Sequence, residues 1–147
     1  MLNEDYSDML RCLLDEKVEF LLIGAYAMAV YGYPRATKDI DLWIYASPAN
    51  APRVIRALER FGAPMQQVTE SDFETVGAIF QIGVAPRRID LTTLVHGPSF
   101  DQAWANRKLI EIDGMSVPVI ARADLIVNKR ATGRPQDLLD ADQLEVE

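Results

Sequence analysis

The chain has 147 residues, 49% hydrophobic and 25% charged, the figures of an ordinary globular protein of one domain rather than a disordered or collagen-like chain. A formal net charge of −7 excludes a broad electrostatic footprint for DNA or RNA, because non-specific nucleic-acid affinity is mostly phosphate neutralisation by Lys and Arg; only a local basic patch stays open. The single cysteine, Cys12, excludes an internal disulfide, and its place among Met9, Leu10, Leu13 and Leu14 predicts a buried structural thiol.

The first residues, Met1-Leu2-Asn3-Glu4-Asp5, are acidic where a signal peptide would be basic, and no apolar run approaches the roughly 18–20 residues of a membrane span. The expectation is a single domain over residues 1–147, in the cytoplasm and away from membranes. Asn3 is placed to cap a first helix carrying Tyr6, Met9, Leu10, Leu13 and Leu14 at helical spacing. Residues 18–23 then predict a buried strand closed by Gly24, and the alanine-rich segment from Ala25 predicts a short helix that stops at Gly32-Tyr33-Pro34. A second strand is expected over 39–45, followed by a helix with Ser47 as cap and Pro48 as first residue, running to Phe61-Gly62.

Further on, 78–84 and 88–95 predict two strands joined at Ala85-Pro86-Arg87, and 99–106 predicts a helix. Asp113-Gly114 between 109–112 and 115–119 signals a tight hairpin, and the tail over 123–144 predicts helix broken at Gly133-Arg134-Pro135. The sum is an α/β (α+β) domain, a small mixed β-sheet flanked by helices.

Side chains alternate along a strand, so Asp39, Asp41, Trp43 and Tyr45 share one face and Ile40, Leu42 and Ile44 the other. Aspartate is depleted in strands, and two neighbouring carboxylates repel unless a cation compensates them. Oxygen-only ligands suit Mg²⁺ or Mn²⁺. Asp90 repeats the situation in Arg88-Ile89-Asp90-Leu91-Thr92 and is a natural third ligand, and three carboxylates on adjacent strands suffice for phosphate chemistry with two cations. A bare Asp-x-Asp is ordinarily a solvated strand end; the Gly24 turn, the basic Arg35-Ala36-Thr37-Lys38 and Asp90 are what favour a metal site.

Gly24-Ala25, thirteen residues, then Asp39-Ile40-Asp41-Leu42 resembles the signature of the polymerase-β-type nucleotidyltransferase superfamily. Arg35, Thr37 and the acid pair resemble its small bacterial branch that includes AbiEii-like toxins, and the similarity continues to Lys129, Arg134 and Asp137. The resemblance implies a nucleotidyltransferase-like fold in which Asp39, Asp41 and Asp90 bind Mg²⁺ (or Mn²⁺) and act on a nucleoside triphosphate such as ATP, with Asp90 nearest the acceptor hydroxyl. It implies nucleotide contacts from Gly24, Ala25, Arg35, Thr37, Lys38, Lys129 and Arg134. The acceptor would be tRNA, a protein or a small molecule, and a toxin-type member would have a cognate antitoxin-like partner. Where the superfamily usually has Gly-Ser or Gly-Gly this chain has Gly24-Ala25, which removes a hydroxyl and raises a rival reading, a nucleotide-binding module with little turnover. An aspartate-nucleophile phosphatase fits badly, since Arg35-Ala36-Thr37-Lys38 stands where the apolar strand before its first Asp would be.

Other residues carry bland expectations. His96 is expected to be exposed in a loop, Trp43 and Tyr45 to pack in the core, and Arg87 and Arg88 to face solvent. Asp137, Asp140 and Asp142 are expected on the wet face of the last helix. A nucleic-acid acceptor would require Arg35, Arg87, Arg88, Lys129, Arg130 and Arg134 to gather on one side.

Overall fold

The computed structural model describes residues 2–146. In chain order they form α1 (Glu4–Asp15), β1 (Phe20–Ile23), α2 (Gly24–Val30), β2 (Asp39–Ile44), α3 (Ala51–Phe61), a 3-10 turn (Glu70–Phe73) and β3 (Ile79–Ile82). Then follow β4 (Arg88–Thr92), α4 (Phe100–Ala105), β5 (Lys108–Ile112), β6 (Met115–Val119), α5 (Arg122–Thr132) and α6 (Pro135–Val146).

The strands make one mixed sheet in the order β3-β4-β2-β1-β6-β5. β1 runs antiparallel to β2 and parallel to β6, β2 runs parallel to β4, and β3 and β5 close the two edges antiparallel to β4 and β6. Every residue of β1 is buried, as its apolar run and near-central position require. In β2, Ile40, Leu42 and Ile44 are sealed in the core while Asp39 and Asp41 on the other face keep access to solvent. Tyr6, Met9, Leu10 and Leu13 bury one side of α1, which packs against α3, and the Asn3 carboxamide caps α1 by accepting the Tyr6 N–H at 2.9 Å. Cys12 is only half-buried, although burial still pushes its thiol up. Asp113 and Gly114 take positive φ values of 49° and 78°, the geometry a two-residue hairpin between β5 and β6 demands.

Strands β3 and β4 end earlier than the expected 84 and 95, and two further features differ from the expectation. Helix α3 begins at Ala51 rather than at Pro48, because Ser47 caps a preceding turn by accepting the Asn50 N–H at 3.0 Å. The buried Asn50 carboxamide is then occupied elsewhere, donating to the carbonyls of Glu19 and Tyr45 and accepting the Glu19 N–H, which ties the ends of β1 and β2 together. The 3-10 turn at Glu70–Phe73, held by a reciprocal Thr69–Asp72 capping box, had no periodic signal to announce it. No helix among the described residues is long and apolar enough to cross a membrane.

Candidate active site

β2 and β4 lie parallel with Asp39 opposite Arg88 and Asp41 opposite Asp90, so one register fixes three carboxylates on one face of the sheet. One oxygen from each of Asp39, Asp41 and Asp90 can be chosen such that all lie within 4.8 Å of one another. Beside them β1 ends and α2 begins at Gly24, whose φ of +70° is left-handed. A Cβ there would stand 2.3 Å from Asp41 Oδ2, so the turn admits no side chain.

Arg88, expected to face solvent, lies among the acids instead. Its guanidinium donates to Asp39 Oδ2 at 2.7 Å and, through Nε, to Asp90 Oδ1 at 3.1 Å. A planar fork with several donors is suited to bridging two carboxylates in this way. Two positions separate Arg88 from Asp90 on β4, so both point to the same face, a relation the alternation already contained. Thr37 adds a hydroxyl bond to Asp39 Oδ1 at 3.0 Å.

Asp41 receives no comparable donor among the described residues. Burial, then the charges of Asp39 and Asp90, push its carboxyl up to about 7 against the partial relief of Arg88 and Lys129. Burial also raises Asp90, although Arg88 pulls the other way. Three carboxylates facing one guanidinium leave an excess of negative charge, and hard oxygen donors at this spacing fit a divalent cation such as Mg²⁺.

The acids open into a cleft of about 370 Å³ whose wall includes Gly24, Ala25, Arg88, His96, Lys129 and Arg134. Of the expected nucleotide contacts, Gly24, Ala25, Lys129 and Arg134 thus stand beside the acids, whereas Arg35 and Lys38 are not part of this wall and Thr37 is turned to Asp39. His96 is exposed as expected, yet it is held at the cleft rim by Asn128 Nδ2, which donates to its carbonyl at 2.9 Å.

The expectation for the last helix fails at two of its three acids. Asp137 and Asp140 are buried, and only Asp142 faces water. Lys129 Nζ reaches Asp137 at 3.2 Å and Asp140 at 3.1 Å, Arg35 pairs with Asp140, and Arg134 Nε lies 2.8 Å from Asp137. Burial would raise both carboxyls, but the Thr132 hydroxyl, Lys129 and Arg134 outweigh it at Asp137, and Arg35, Gln136 and Lys129 at Asp140, so both are held below their usual range. These pairs clamp α6 onto α5 and onto the segment before β2.

Trp43 is core, as expected; Tyr45 is half-buried and stacks on Phe100 of α4 at 4.9 Å.

No curated protein matches the sequence at a significant level. Among solved structures, the chain is similar in fold to TM1012 of Thermotoga maritima, provisionally assigned as a nucleotidyltransferase, with a TM-score of 0.58 and 19% identity over 99% of this chain and 94% of that one. It is similar also to ANT(2")-Ia in complex with adenylyl-2"-tobramycin, with a TM-score of 0.59 and 14% identity over 96% of this chain and 91% of that one. The family described as "Nucleotidyltransferase of unknown function (DUF6036)" matches residues 2–146, and the chain belongs to it.

Proposed function

We propose that this nucleotidyltransferase moves a nucleoside monophosphate from a nucleoside triphosphate to an acceptor hydroxyl, with release of pyrophosphate, at the Asp39, Asp41 and Asp90 centre. The observation that carries the reading is the meeting of these carboxylates within 4.8 Å beside the Gly24 turn. A divalent cation bound there would neutralise phosphate oxygens and favour the alkoxide form of the acceptor. The chain's own parts divide the remaining work. Asp90, partly buried and raised, stands to take the acceptor proton; Arg88 fixes the orientation of Asp39 and Asp90; backbone N–H groups at the head of α2 and the cations Lys129 and Arg134 face the phosphates.

Charge bears on the acceptor class. Each of Arg35, Arg87, Arg88, Lys129, Arg130 and Arg134 is paired with a carboxylate, so beyond what Lys129 and Arg134 give the triphosphate these cations have little net positive charge to offer a long nucleic acid such as tRNA. A small molecule or a protein is favoured, and the adenylyl-tobramycin bound to ANT(2")-Ia supports the former. A toxin-type enzyme acting in the cytoplasm beside an inhibitory protein partner is the narrower form of the proposal, supported by the likeness of Arg35, Thr37 and the acid pair to that branch. Ala25, which offers no hydroxyl to terminal phosphates, favours the second reading, a nucleotide-binding module with little turnover.

Incubation with α-³²P-labelled triphosphates, Mg²⁺ or Mn²⁺ and a cell extract tests the proposal against an Asp39→Asn/Asp41→Asn variant. Label transferred by the natural chain alone is the expected result. Metal-dependent nucleotide binding without transfer would establish the binding module instead, and the absence of both would overturn the two readings together.

A further inference from the structure

Beyond the acids, the same face of β2 continues into a second pocket of about 260 Å³, walled by Trp43, Tyr45, Val76, Val95, Pro98 and Phe100. Its rings form an ordered group: Phe100 is stacked on Tyr45 at 4.9 Å, stands edge-on to Trp43 at 5.1 Å, and has Trp104 stacked at 5.7 Å. Among the described residues no lysine or arginine lines it, and the charged residue in its wall is Asp101. Val95 lies in the walls of both this pocket and the acid cleft. Trp43, the pocket wall nearest the acids, follows Asp41 by two residues on one strand face, about 7 Å along the strand.

Each property narrows the occupant. Without cations the pocket does not hold phosphate; its volume lies below that of sites for drug-sized ligands and suits one flat ring system; and Asp101 accepts N–H donors. The shared Val95 wall and the closeness of Trp43 to Asp41 along β2 put the pocket's near edge within reach of a ribose whose phosphate lies at the acids. Resting on the nucleotidyl-transfer reading, we infer that this aromatic pocket holds the base of the nucleoside triphosphate, against Tyr45 and Phe100, and favours bases that present an amino group to Asp101.

Both tryptophans of the chain belong to the ring group, so intrinsic fluorescence reports its occupancy. The test titrates ATP, GTP, CTP and UTP, and inorganic tripolyphosphate as the base-free probe, in Mg²⁺, by fluorescence and calorimetry. The natural chain, Tyr45→Ala and Val76→Phe are compared; Val76 is 67% exposed, so a larger side chain there costs no core packing and guards against a folding defect in the first variant. The expected result is a fluorescence change with triphosphates and none with tripolyphosphate, a preference for amino-bearing bases over UTP, and affinity for the preferred nucleotide weakened roughly tenfold in both variants while tripolyphosphate binding is unchanged. Triphosphates that bind no better than tripolyphosphate, leave the fluorescence alone and ignore both substitutions would overturn the base pocket and leave the phosphate site standing. If neither class of ligand binds, the nucleotidyl-transfer reading falls and takes this inference with it.

Discussion

Gly24 and Asp41 are in contact across the β1–β2 pair so closely that a methyl group on the first would stand 2.3 Å from an oxygen of the second. Gly24→Ala therefore combines this overlap with a left-handed backbone. The substitution is expected to lower stability by about 1–3 kcal/mol and activity by at least a hundredfold, measured by urea unfolding and by nucleotide labelling. Activity retained at the natural level would show that the turn does not position Asp41.

Asp41 links pH to stability and, at the proposed cation site, to metal affinity. Its carboxyl is raised from the ordinary carboxylate range to about 7, so its contribution to metal-free stability is fully present below about pH 4 and is lost as pH rises toward 7. A cation binds the deprotonated form, so Mn²⁺ affinity should climb by up to about tenfold per pH unit below 7 and level off above it. Calorimetry across pH 5.5–8.5 would reveal the slope; a flat profile would mean that Asp41 is already ionised throughout.

The same argument gives Asp41→Asn opposite effects on stability and activity. Removing a crowded negative charge should raise the melting temperature of the metal-free protein at pH 8 by about 2–6 °C, while labelling activity disappears. A melting temperature that falls would show that the carboxylate contributes to folding rather than opposing it.

Arg88 acts as the counter-charge to Asp39 and Asp90, with side-chain exposures of 38%, 24% and 12%. Because the guanidinium is solvated and its ion pairs are screened, Arg88→Ala should leave the melting temperature close to that of the natural chain. Loss of its orienting bonds should reduce the labelling rate by tenfold or more. Arg88→Lys should not restore the rate, since an ammonium cannot bridge two carboxylates with one planar fork.

Asp140 is sealed at 1% side-chain exposure against Lys129 at 11%. Asp140→Ala leaves a buried ammonium with half its partners and frees Arg35, and a loss of about 3–5 kcal/mol is expected by urea unfolding. Asp142→Ala, on the wet side of the same helix, should change stability by less than about 0.5 kcal/mol.

What the sequence disclosed and what it hid divide along the range of the interactions. The acid pair could be placed on one strand face because alternation is local, and the β5–β6 hairpin because Asp113-Gly114 encodes its own turn. Helix α6 misled for the opposite reason. Its acids have the look of a solvated face until Lys129 arrives from α5 and Arg35 from the segment before β2, and no local pattern announces partners that far away. Arg88 was hidden by its neighbour: Arg87 beside it does face outward, where it pairs with Asp5, and the pair invited one reading for both. The distance from Asp39 and Asp41 to Asp90 lay beyond local reading too, since it depends on β4 choosing the far side of β2 from β1.

That choice has a consequence for how the protein comes into being. β2 and β4 are parallel neighbours joined by a long crossover that contains α3 and β3, so their pairing closes one of the more distant loops in the chain and is the kind of contact that forms slowly. The pairing of β4 with β2 brings Asp90 to Asp39 and Asp41 and, with it, the Arg88 guanidinium that bonds Asp39. A cation held by the three carboxylates, as proposed above, would find its full ligand set only once β4 has docked, and would stabilise that pairing by mass action.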